Sequence, residues 1–385
     1  MTDARSAPTF YEFFAGGGMA RAALSQTGWK CLFANDFDAK KVAAYSENWG
    51  AGEVRHGDVG KLSLGDLPEK ADLVWASFPC QDLSLAGGGA GLKGNRSGTF
   101  WPFWKLVQGL KSEGRPPTTV VLENVCGALT SHGGKDFHAI CQALTDEGYL
   151  VGALVMDAAH FVPQSRPRLF VVGTLQSKAA LALSMMAGPS GLWHSKALIA
   201  AHDALPKAVK DRWIWWDVPP PLPRAQAFAD IVEASPNDRG RHTPEETQKL
   251  LNMMSPLNRR KVELAKSSGK LEVGTIYRRT RVEDGNKIQR AEVRFDDVAG
   301  CLRTPAGGSS RQILIFIEGD QVRTRLISAR ETARLMGLPE SYILPARYNE
   351  AYHLTGDGVA VPVVAHLSRT LLRGTVSPEP ERMVA

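Results

Sequence analysis

The first 174 residues alternate short apolar runs with amphipathic stretches of helical length. Strands that alternate with helices in this way are typical of a mostly parallel sheet covered by helices. The pattern therefore predicts an α/β domain, whose helices include residues 19–25 and 136–146. The predicted strands are residues 11–15, 30–35, 73–77, 118–123, 149–156 and 169–174.

The pattern changes after residue 174. An alanine-rich stretch leads to a tryptophan-rich cluster at 213–216 and a proline run at 219–223, which is typical of a boundary or a stiff linker. Thr243 and Glu246 form a capping box that predicts a helix start, and residues 275–282 and 287–295 around Asp284 and Gly285 predict a basic β-hairpin. Residues 328–372 are helical and apolar again. We predict three parts: residues 1–174, a smaller mixed domain at 175–323, and a C-terminal segment at 324–385 that packs back on the first part.

Composition narrows the class of protein. Hydrophobic residues make up 43% and charged residues 22% of the 385, close to globular averages, which disfavours a disordered or membrane-embedded chain. No apolar run approaches the roughly 20 residues of a spanning helix, and the first residues lack the apolar stretch of a signal peptide. We therefore expect a cytoplasmic protein with no membrane partner.

The positive charge is concentrated in one segment. The net charge is +6, and residues 257–311 hold 13 Lys or Arg against 7 Asp or Glu, so the excess of that segment equals the excess of the whole chain. A segment of this kind favours a polyanionic partner.

The five cysteines are scattered, odd in number and never spaced as C-x-x-C, which argues against a disulfide framework and against a zinc site. We expect no metal, and a reactive thiol is compatible with the pattern. The five are Cys31, Cys80, Cys126, Cys141 and Cys301.

A glycine turn follows the first predicted strand. Gly16 and Gly18 lie between that strand and the helix from Met19, where glycine lets the backbone turn tightly and approach a ligand. Asp36, 20 residues beyond Gly16 at the end of the second strand, is placed to accept hydrogen bonds from a ribose. Asp58 is a candidate acceptor for an adenine amino group. The pattern fits a nucleoside cofactor, and a purely structural βα turn with surface acids remains the alternative.

A cysteine, an acid and two arginines follow or precede other predicted strands. Cys80 comes after residues 73–77, Glu123 ends the fourth strand, and Arg166 and Arg168 precede the sixth. Carbon 5 of cytosine is too weak a nucleophile to attack a methyl donor, but a thiolate added at carbon 6 makes it enamine-like. An acid can neutralise the charge at ring nitrogen 3, and arginines supply fixed positive charge. The four residues therefore form a chemically coherent set.

These motifs resemble, in kind and order, those of the cytosine-5 DNA methyltransferases over nearly the full chain. The similar segments are Phe14-x-Gly16-x-Gly18, Asn35-Asp36-Phe37-Asp38, Gly57-Asp58-Val59, Phe78-Pro79-Cys80-Gln81, Arg96-Ser97-Gly98-Thr99-Phe100, Glu123-Asn124-Val125, Gln164-x-Arg166-x-Arg168 and Arg330-Glu331-Thr332-Ala333-Arg334-Leu335. The resemblance implies S-adenosylmethionine as cofactor and Cys80, Glu123, Arg166 and Arg168 as catalytic residues. The cofactor contacts that it implies are Phe14, Gly16, Gly18, Asp36, Phe37, Asp58, Val59, Pro79, Thr99, Asp357 and Val359.

The chain departs from the family pattern at three places. Glu12 stands where the family usually has Asp, and Met19 where it usually has Gly. The last motif usually reads Gly-Asn, a small residue and Val, whereas this chain has Gly356-Asp357-Gly358-Val359. Asp357 therefore stands where the family usually has Asn.

The resemblance also implies how double-stranded DNA is bound. The target base must be flipped out of the duplex, and the glycine-rich loop at 87–94 is a candidate lid. By this resemblance, residues 1–174 would be the catalytic and cofactor-binding domain, with the Rossmann-like α/β fold of S-adenosylmethionine-dependent methyltransferases. Residues 175–323 would be a smaller, mixed target-recognition domain. The DNA-binding residues that we expect are Gln81, Ser84, Arg96, Arg278, Arg279, Arg281, Arg303, Gly307, Gly308, Ser309 and Arg311. The tryptophan-rich cluster is expected to pack at a domain junction rather than to stack on bases.

Two other functions remain open. A relative that methylates cytosine in transfer RNA shares the catalytic motifs, although the long segment at 175–323 argues against it. A DNA-binding relative without catalysis is disfavoured because Cys80, Glu123, Arg166 and Arg168 are intact. For the DNA enzyme we expect a monomer, associated with the nucleoid, with or without a cognate restriction endonuclease.

Overall fold

The computed structural model describes residues 7–79, 99–237, 239–283, 285–303 and 311–376. The chain forms two units. The first contains Met1–Asp157, Pro167–Pro221 and Val361–Ala385, and the second contains Ala158–Arg166 and Leu222–Ala360. The division into functional domains at 174 and 323 stays a prediction.

The first unit is built on a mixed sheet of seven strands among the described residues. Its helices are α1 (Met19–Gln26), α2 (Ala39–Trp49), α3 (Phe100–Ser112), α4 (Lys135–Asp146), α5 (Lys196–Asp203) and α6 (Lys207–Lys210). Its strands are β1 (Thr9–Phe13), β2 (Lys30–Asp36), β3 (Val54–His56), β4 (Leu73–Ala76), β5 (Thr119–Val125), β6 (Leu150–Asp157), β7 (Pro167–Thr174), β8 (Met185–Met186) and β9 (Trp215–Trp216).

The strand order of the large sheet is β3-β2-β1-β4-β5-β7-β6. The first five strands in that order run parallel, and β7 lies antiparallel between β5 and β6. The central strands β1, β4 and β5 are almost entirely buried, because both faces of the sheet are covered. Their continuous apolar runs made them recognisable in the sequence.

The six predicted strands of this sheet are confirmed, each within two residues of its observed ends. The prediction missed β3, which has only three residues, two of them exposed, and therefore lacks an apolar run. Trp213 and Trp216 are buried, and β9 pairs with β8, so the tryptophan-rich cluster is packed in the interior, while its predicted place at a domain junction stays a prediction.

The second unit has an antiparallel sheet of four strands within the described residues. Its elements are α7 (Pro244–Asn252), α8 (Pro256–Ser267), β10 (Glu272–Glu283), β11 (Asn286–Arg294), β12 (Ile313–Glu318), β13 (Gln321–Leu326), α9 (Ala329–Leu335) and α10 (Tyr348–Asp357). The strand order is β11-β10-β12-β13. Leu250 of α7, Val262 of α8 and Met254 between the two helices belong to the apolar core on the sheet. The predicted capping box of α7 and the β10–β11 hairpin are confirmed.

After the second unit, α11 (Val361–Leu367) and α12 (Arg373–Val376) belong to the first unit, where α11 packs on α1. Ser368, just beyond α11, accepts a hydrogen bond from the Trp29 indole at 2.9 Å. No helix within the described ranges is long and apolar enough to cross a membrane.

Candidate active site

The turn between β1 and α1 follows the carboxyl end of β1 and has an unusual backbone conformation. Phe14, Gly16 and Gly18 all have positive φ, at 57°, 55° and 76°. The Gly16 N–H donates to Asp36 Oδ2 at 2.8 Å, which ties the turn to the end of β2. The sequence-predicted glycines and acid are therefore brought together.

Gly18 occupies a space that no side chain can share. A Cβ atom there would lie 2.4 Å from Trp49 Nε1 and 2.9 Å from the Tyr45 ring. The Trp49 indole N–H in turn donates to the Gly17 carbonyl at 3.1 Å. Trp49 thus supports the turn from behind, a role for which the sequence carries no local signal.

The predicted cofactor acids lie at the ends of neighbouring strands. Asp36 is almost fully buried and accepts from Gly16 and, through Oδ1, from Asp38 N–H at 2.8 Å. Each oxygen keeps a second lone pair for a ligand hydroxyl. Phe37 beside it is 75% exposed, which is unusual for a large apolar ring and leaves its face available for stacking.

Asp58 follows β3. Its Oδ1 accepts from Gly60 N–H at 2.9 Å, and Val59 after it is buried. Asn35, at the end of β2, donates to the Gly57 carbonyl at 3.0 Å. These bonds hold the segment with Asp58 next to the segment with Asp36.

A buried carboxyl lies beneath the glycine turn. Glu12 is 1% exposed, its Oε1 accepts from Arg21 N–H at 3.3 Å, and its Oε2 has no hydrogen-bond partner among the described residues. Burial raises the pKa of Glu12 to about 8, only partly offset by Arg21. Glu12, which stands where the family usually has the shorter Asp, is thus largely protonated at neutral pH.

Glu123 and Arg168 form an ion pair at the carboxyl end of β5. Arg168 Nε lies 3.2 Å from Glu123 Oε1, and both side chains are mostly buried. The antiparallel pairing of β5 with β7 brings them together, since Val125 lies opposite Arg168. Asn124 donates to the Phe78 carbonyl at 3.1 Å, which fixes the segment that leads to Pro79 against β5.

Several predicted site residues lie outside the described residues. They include the predicted nucleophile and the predicted lid, and they are Cys80, Gln81, Ser84, residues 87–94, Arg96, Gly307, Gly308 and Ser309. Pro79 and Thr99 are the described residues on either side of the gap, and Thr99 immediately precedes α3. The roles predicted for all of these residues stay predictions.

Arg166 belongs to the second unit, where it is 1% exposed. One terminal nitrogen donates to the Leu302 carbonyl at 3.0 Å and to Cys301 Sγ at 3.2 Å. The other donates to the carbonyls of Gly356 and Gly358 at 2.8 and 2.6 Å. Arg166 therefore fixes two backbone segments, one at Leu302 and one at Gly356 and Gly358. The direct chemical role expected from the sequence stays a prediction.

Asp357 ends α10, and Val359 is buried just beyond it. The carbonyls that Arg166 binds flank Asp357 on both sides. The last motif is therefore fixed by its backbone, and the cofactor contacts predicted for Asp357 and Val359 remain untested.

The arginines predicted to bind DNA differ in their surroundings. Arg281 pairs with Glu292 on the next strand, and the Arg279 guanidinium lies 5.1 Å from the centre of the Tyr277 ring. Two further hairpin arginines are also paired, Arg290 with Glu283 and Arg294 with Asp296. Remaining members of the predicted set are the half-buried Arg311, the exposed Arg303 and the exposed Arg278.

A family comparison matches most of the chain. The model of the C-5 cytosine-specific DNA methylase family matches residues 8–373. The Type II methyltransferase M.HpaII of Haemophilus parainfluenzae is 25% identical over 94% of this chain and 89% of its own length. M.NlaX of Neisseria lactamica is 27% identical over 94% of this chain and 95% of its own length.

Solved structures share the fold at low sequence identity. The Entamoeba histolytica methyltransferase EhMeth has a TM-score of 0.64 at 14% identity, covering 96% of this chain and 99% of that one. The S. pombe Dnmt2 methyltransferase has a TM-score of 0.60 at 18% identity, covering 95% and 98%.

Proposed function

The chain belongs to the C-5 cytosine-specific DNA methylases, and from this premise we propose that Cys80, Glu123 and Arg168 transfer the methyl group to a flipped cytosine in duplex DNA. The activity of the family is methylation of carbon 5 of cytosine with S-adenosylmethionine as donor. The roles of the individual residues are our proposal.

The Glu123–Arg168 ion pair carries this proposal. A mostly buried carboxylate is costly unless it is paired, and Arg168 Nε at 3.2 Å supplies the opposite charge while fixing the carboxylate plane. Asn124 fixes the Phe78 carbonyl next to this pair, two residues before Cys80. The segment that precedes the predicted nucleophile is therefore held beside the strand that carries Glu123.

The first unit offers the groups that a nucleoside cofactor requires. Asp36 would accept from the ribose, Phe37 would stack on the adenine, and the Gly16–Gly18 turn would let the cofactor approach the backbone. When bound, S-adenosylmethionine supplies an electrophilic methyl group. The 75% exposure of Phe37 supports this fit, since an apolar ring at the end of a strand is otherwise left in water.

The reaction that we propose begins at carbon 6. The Cys80 thiolate forms a bond there, and the 5,6 double-bond electrons move toward carbon 5 and ring nitrogen 3. Glu123, which takes up a proton from solvent when the cytosine binds, shares that proton with nitrogen 3. Carbon 5 then takes the methyl group. The nitrogen 3 proton then returns to Glu123, and water takes up the proton lost from carbon 5. The electrons of the carbon–hydrogen bond re-form the 5,6 double bond as the sulfur–carbon bond breaks, and Cys80 leaves as the thiolate.

The test is transfer of labelled methyl from S-adenosylmethionine to duplex DNA, with the modified base mapped. We expect 5-methylcytosine from the unaltered protein and none from Cys80→Ala. Cys126→Ala is the matched control, because it removes a thiol that our mechanism does not use. Burial raises the pKa of the Cys126 thiol, which disfavours its thiolate form. Glu123→Gln should lower the single-turnover rate by about 10²–10⁴-fold, the usual contribution of a general acid.

Other outcomes would point to other functions. Transfer to transfer RNA but not to varied DNA would favour the RNA-modifying relative, and DNA binding without transfer would favour a non-catalytic relative. Equal loss of transfer in Cys80→Ala and Cys126→Ala would contradict the assignment of Cys80.

We propose that the protein acts as a monomer at the nucleoid and protects DNA from a cognate endonuclease. Similarity to Type II methyltransferases over most of the chain supports the protective role. Sedimentation at micromolar concentration tests the monomer. Cleavage of cellular DNA by restriction enzymes, with and without expression of the protein, tests protection.

A further inference from the structure

A guanidinium and an aromatic ring are stacked in the second unit. Arg239 Cζ lies 3.3 Å from the centre of the Tyr348 ring, van der Waals distance for a face-to-face contact. Tyr348 begins α10, and its hydroxyl donates to the Ile327 carbonyl at 2.9 Å, so the ring itself is fixed. The stack uses the face of the guanidinium and leaves its in-plane N–H donors for another partner.

A second guanidinium shares the same ring. Arg311 Cζ lies 5.8 Å from the Tyr348 centroid and 6.0 Å from that of Tyr352, and one terminal nitrogen donates to Asn349 Oδ1 at 2.7 Å. Tyr352 is fully buried and its hydroxyl accepts from the Gln312 backbone N–H at 3.2 Å. Two like charges are therefore held next to each other by a rigid aromatic support.

The fold fixes both arginines through neighbouring backbone. Arg241, two residues after Arg239, forms an antiparallel backbone β-bridge with Arg325 on β13, and the His242 N–H donates to the Thr324 carbonyl at 2.8 Å. Arg311 immediately precedes the Gln312–Ile313 segment that enters β12, which pairs with β13. The two arginines thus meet at one end of this strand pair.

The charge of this pair is not neutralised within the described residues. Neither Arg239 nor Arg311 forms an ion pair there, and the Nε atom of each is buried without a hydrogen-bond partner. By contrast, the hairpin residues Arg281, Arg290 and Arg294 are each paired with an acid. Adjacent unpaired cations repel each other, and a bound anion would remove that cost.

We propose that Arg239 and Arg311, supported by Tyr348, form an anchor for phosphate groups of the DNA backbone. The inference rests on the proposed function, since the anion is the phosphodiester of the duplex that is methylated. Phosphate contacts of this kind set the position of a protein on DNA without reading its sequence. The ion-paired hairpin arginines would then contribute less to the salt dependence of binding than their number suggests.

The test is the salt dependence of duplex binding, which needs no knowledge of the recognition sequence. The probe is a fluorescent duplex of about 30 base pairs, roughly three helical turns. Its affinity for the protein is measured by fluorescence anisotropy between about 50 and 200 mM salt. Arg239→Gln and Arg311→Gln should each make the slope of log K against log salt shallower by about 0.9, the value for one lost phosphate contact. The double variant should lose roughly twice that.

Two variants make the result specific. Arg239→Lys keeps the charge and should keep the slope. Arg323→Gln removes an arginine that is paired with Glu318 at 3.3 Å, at the opposite end of the β12–β13 pair, and should leave the slope unchanged. Equal S-adenosylmethionine binding by calorimetry in all variants shows that the fold is retained.

Each outcome bears on a different claim. Unchanged slopes in Arg239→Gln and Arg311→Gln, with an unaltered protein that binds DNA and transfers methyl, would overturn the anchor and leave the proposed function standing. An unaltered protein that binds no duplex and transfers no methyl would instead overturn the proposed function. A slope change in Arg323→Gln as large as in Arg239→Gln would also contradict the anchor.

Discussion

Gly18→Ala tests whether the glycine turn is shaped by the residues behind it. A non-glycine residue at φ 76° costs roughly 1–2 kcal/mol. The added Cβ would lie 2.4 Å from Trp49 Nε1 and 2.9 Å from the Tyr45 ring, so one of them must move, and overpacking of this kind costs about 1–3 kcal/mol. We expect the free energy of unfolding to fall by about 2–5 kcal/mol.

The assay is urea denaturation followed by far-ultraviolet circular dichroism, with Gly16→Ala as the matched control. Gly16 has a similar φ of 55°, but a Cβ there would meet no atom within 4 Å. Gly16→Ala should therefore cost only the backbone strain of roughly 1–2 kcal/mol. The difference between the two variants isolates the clash.

A double-mutant cycle identifies the clashing group. In a Trp49→Ala background, Gly18→Ala should destabilise the protein by about 0.5–3 kcal/mol less than in the unaltered protein, because the two sites are in contact. Equal losses for Gly18→Ala and Gly16→Ala, or an additive cycle, would refute the reasoning that Trp49 dictates glycine at position 18.

Three further predictions concern other buried polar groups. The pKa of Glu12 in the folded protein is raised to about 8, above its unfolded value, so the contribution of Glu12 to the free energy of unfolding is fully present below pH 4.5 and is lost as the pH rises through 8. Glu12→Gln should abolish this loss in urea titrations across that pH range. Parallel pH profiles for the two proteins would contradict the assignment. Asn124→Ala removes the donor to the Phe78 carbonyl and should lower the unfolding free energy by about 1–3 kcal/mol while slowing methyl transfer, and a variant with unaltered stability and rate would contradict that role. Arg325→Met leaves the fully buried Glu331 without its partner and should cost about 3–5 kcal/mol in the same titration; a loss below about 1 kcal/mol would show that the pair is not effectively buried.

Much of the first unit was predictable because its signals are local. The central strands are recognisable as apolar runs, since a strand covered on both faces needs apolar residues at every position. Gly16, Gly18 and Asp36 were predictable for a similar reason: a tight turn after one strand and an acid at the end of the next follow from short-range backbone geometry. The three-residue strand β3 has no such run, and its place beside β2 depends on pairing alone.

Side-chain partners required the tertiary structure. The sequence placed Arg166 and Arg168 two positions apart with equal weight, but the fold pairs Arg168 with Glu123 and directs Arg166 to the carbonyls of Gly356 and Gly358. Partners so far apart along the chain meet only when strands pair and loops pack, which no local pattern encodes.

The same holds for the basic segment. Its composition predicts an anionic partner, but only the structure separates ion-paired arginines such as Arg281 from the stacked pair Arg239 and Arg311. Arg239 lies outside the segment 257–311 and meets Tyr348 only because the residues that follow it pair with β13. The sequence by itself therefore determined the fold class, the family and the candidate chemistry, whereas packing between distant residues decided which charges are neutralised and which remain to bind a ligand.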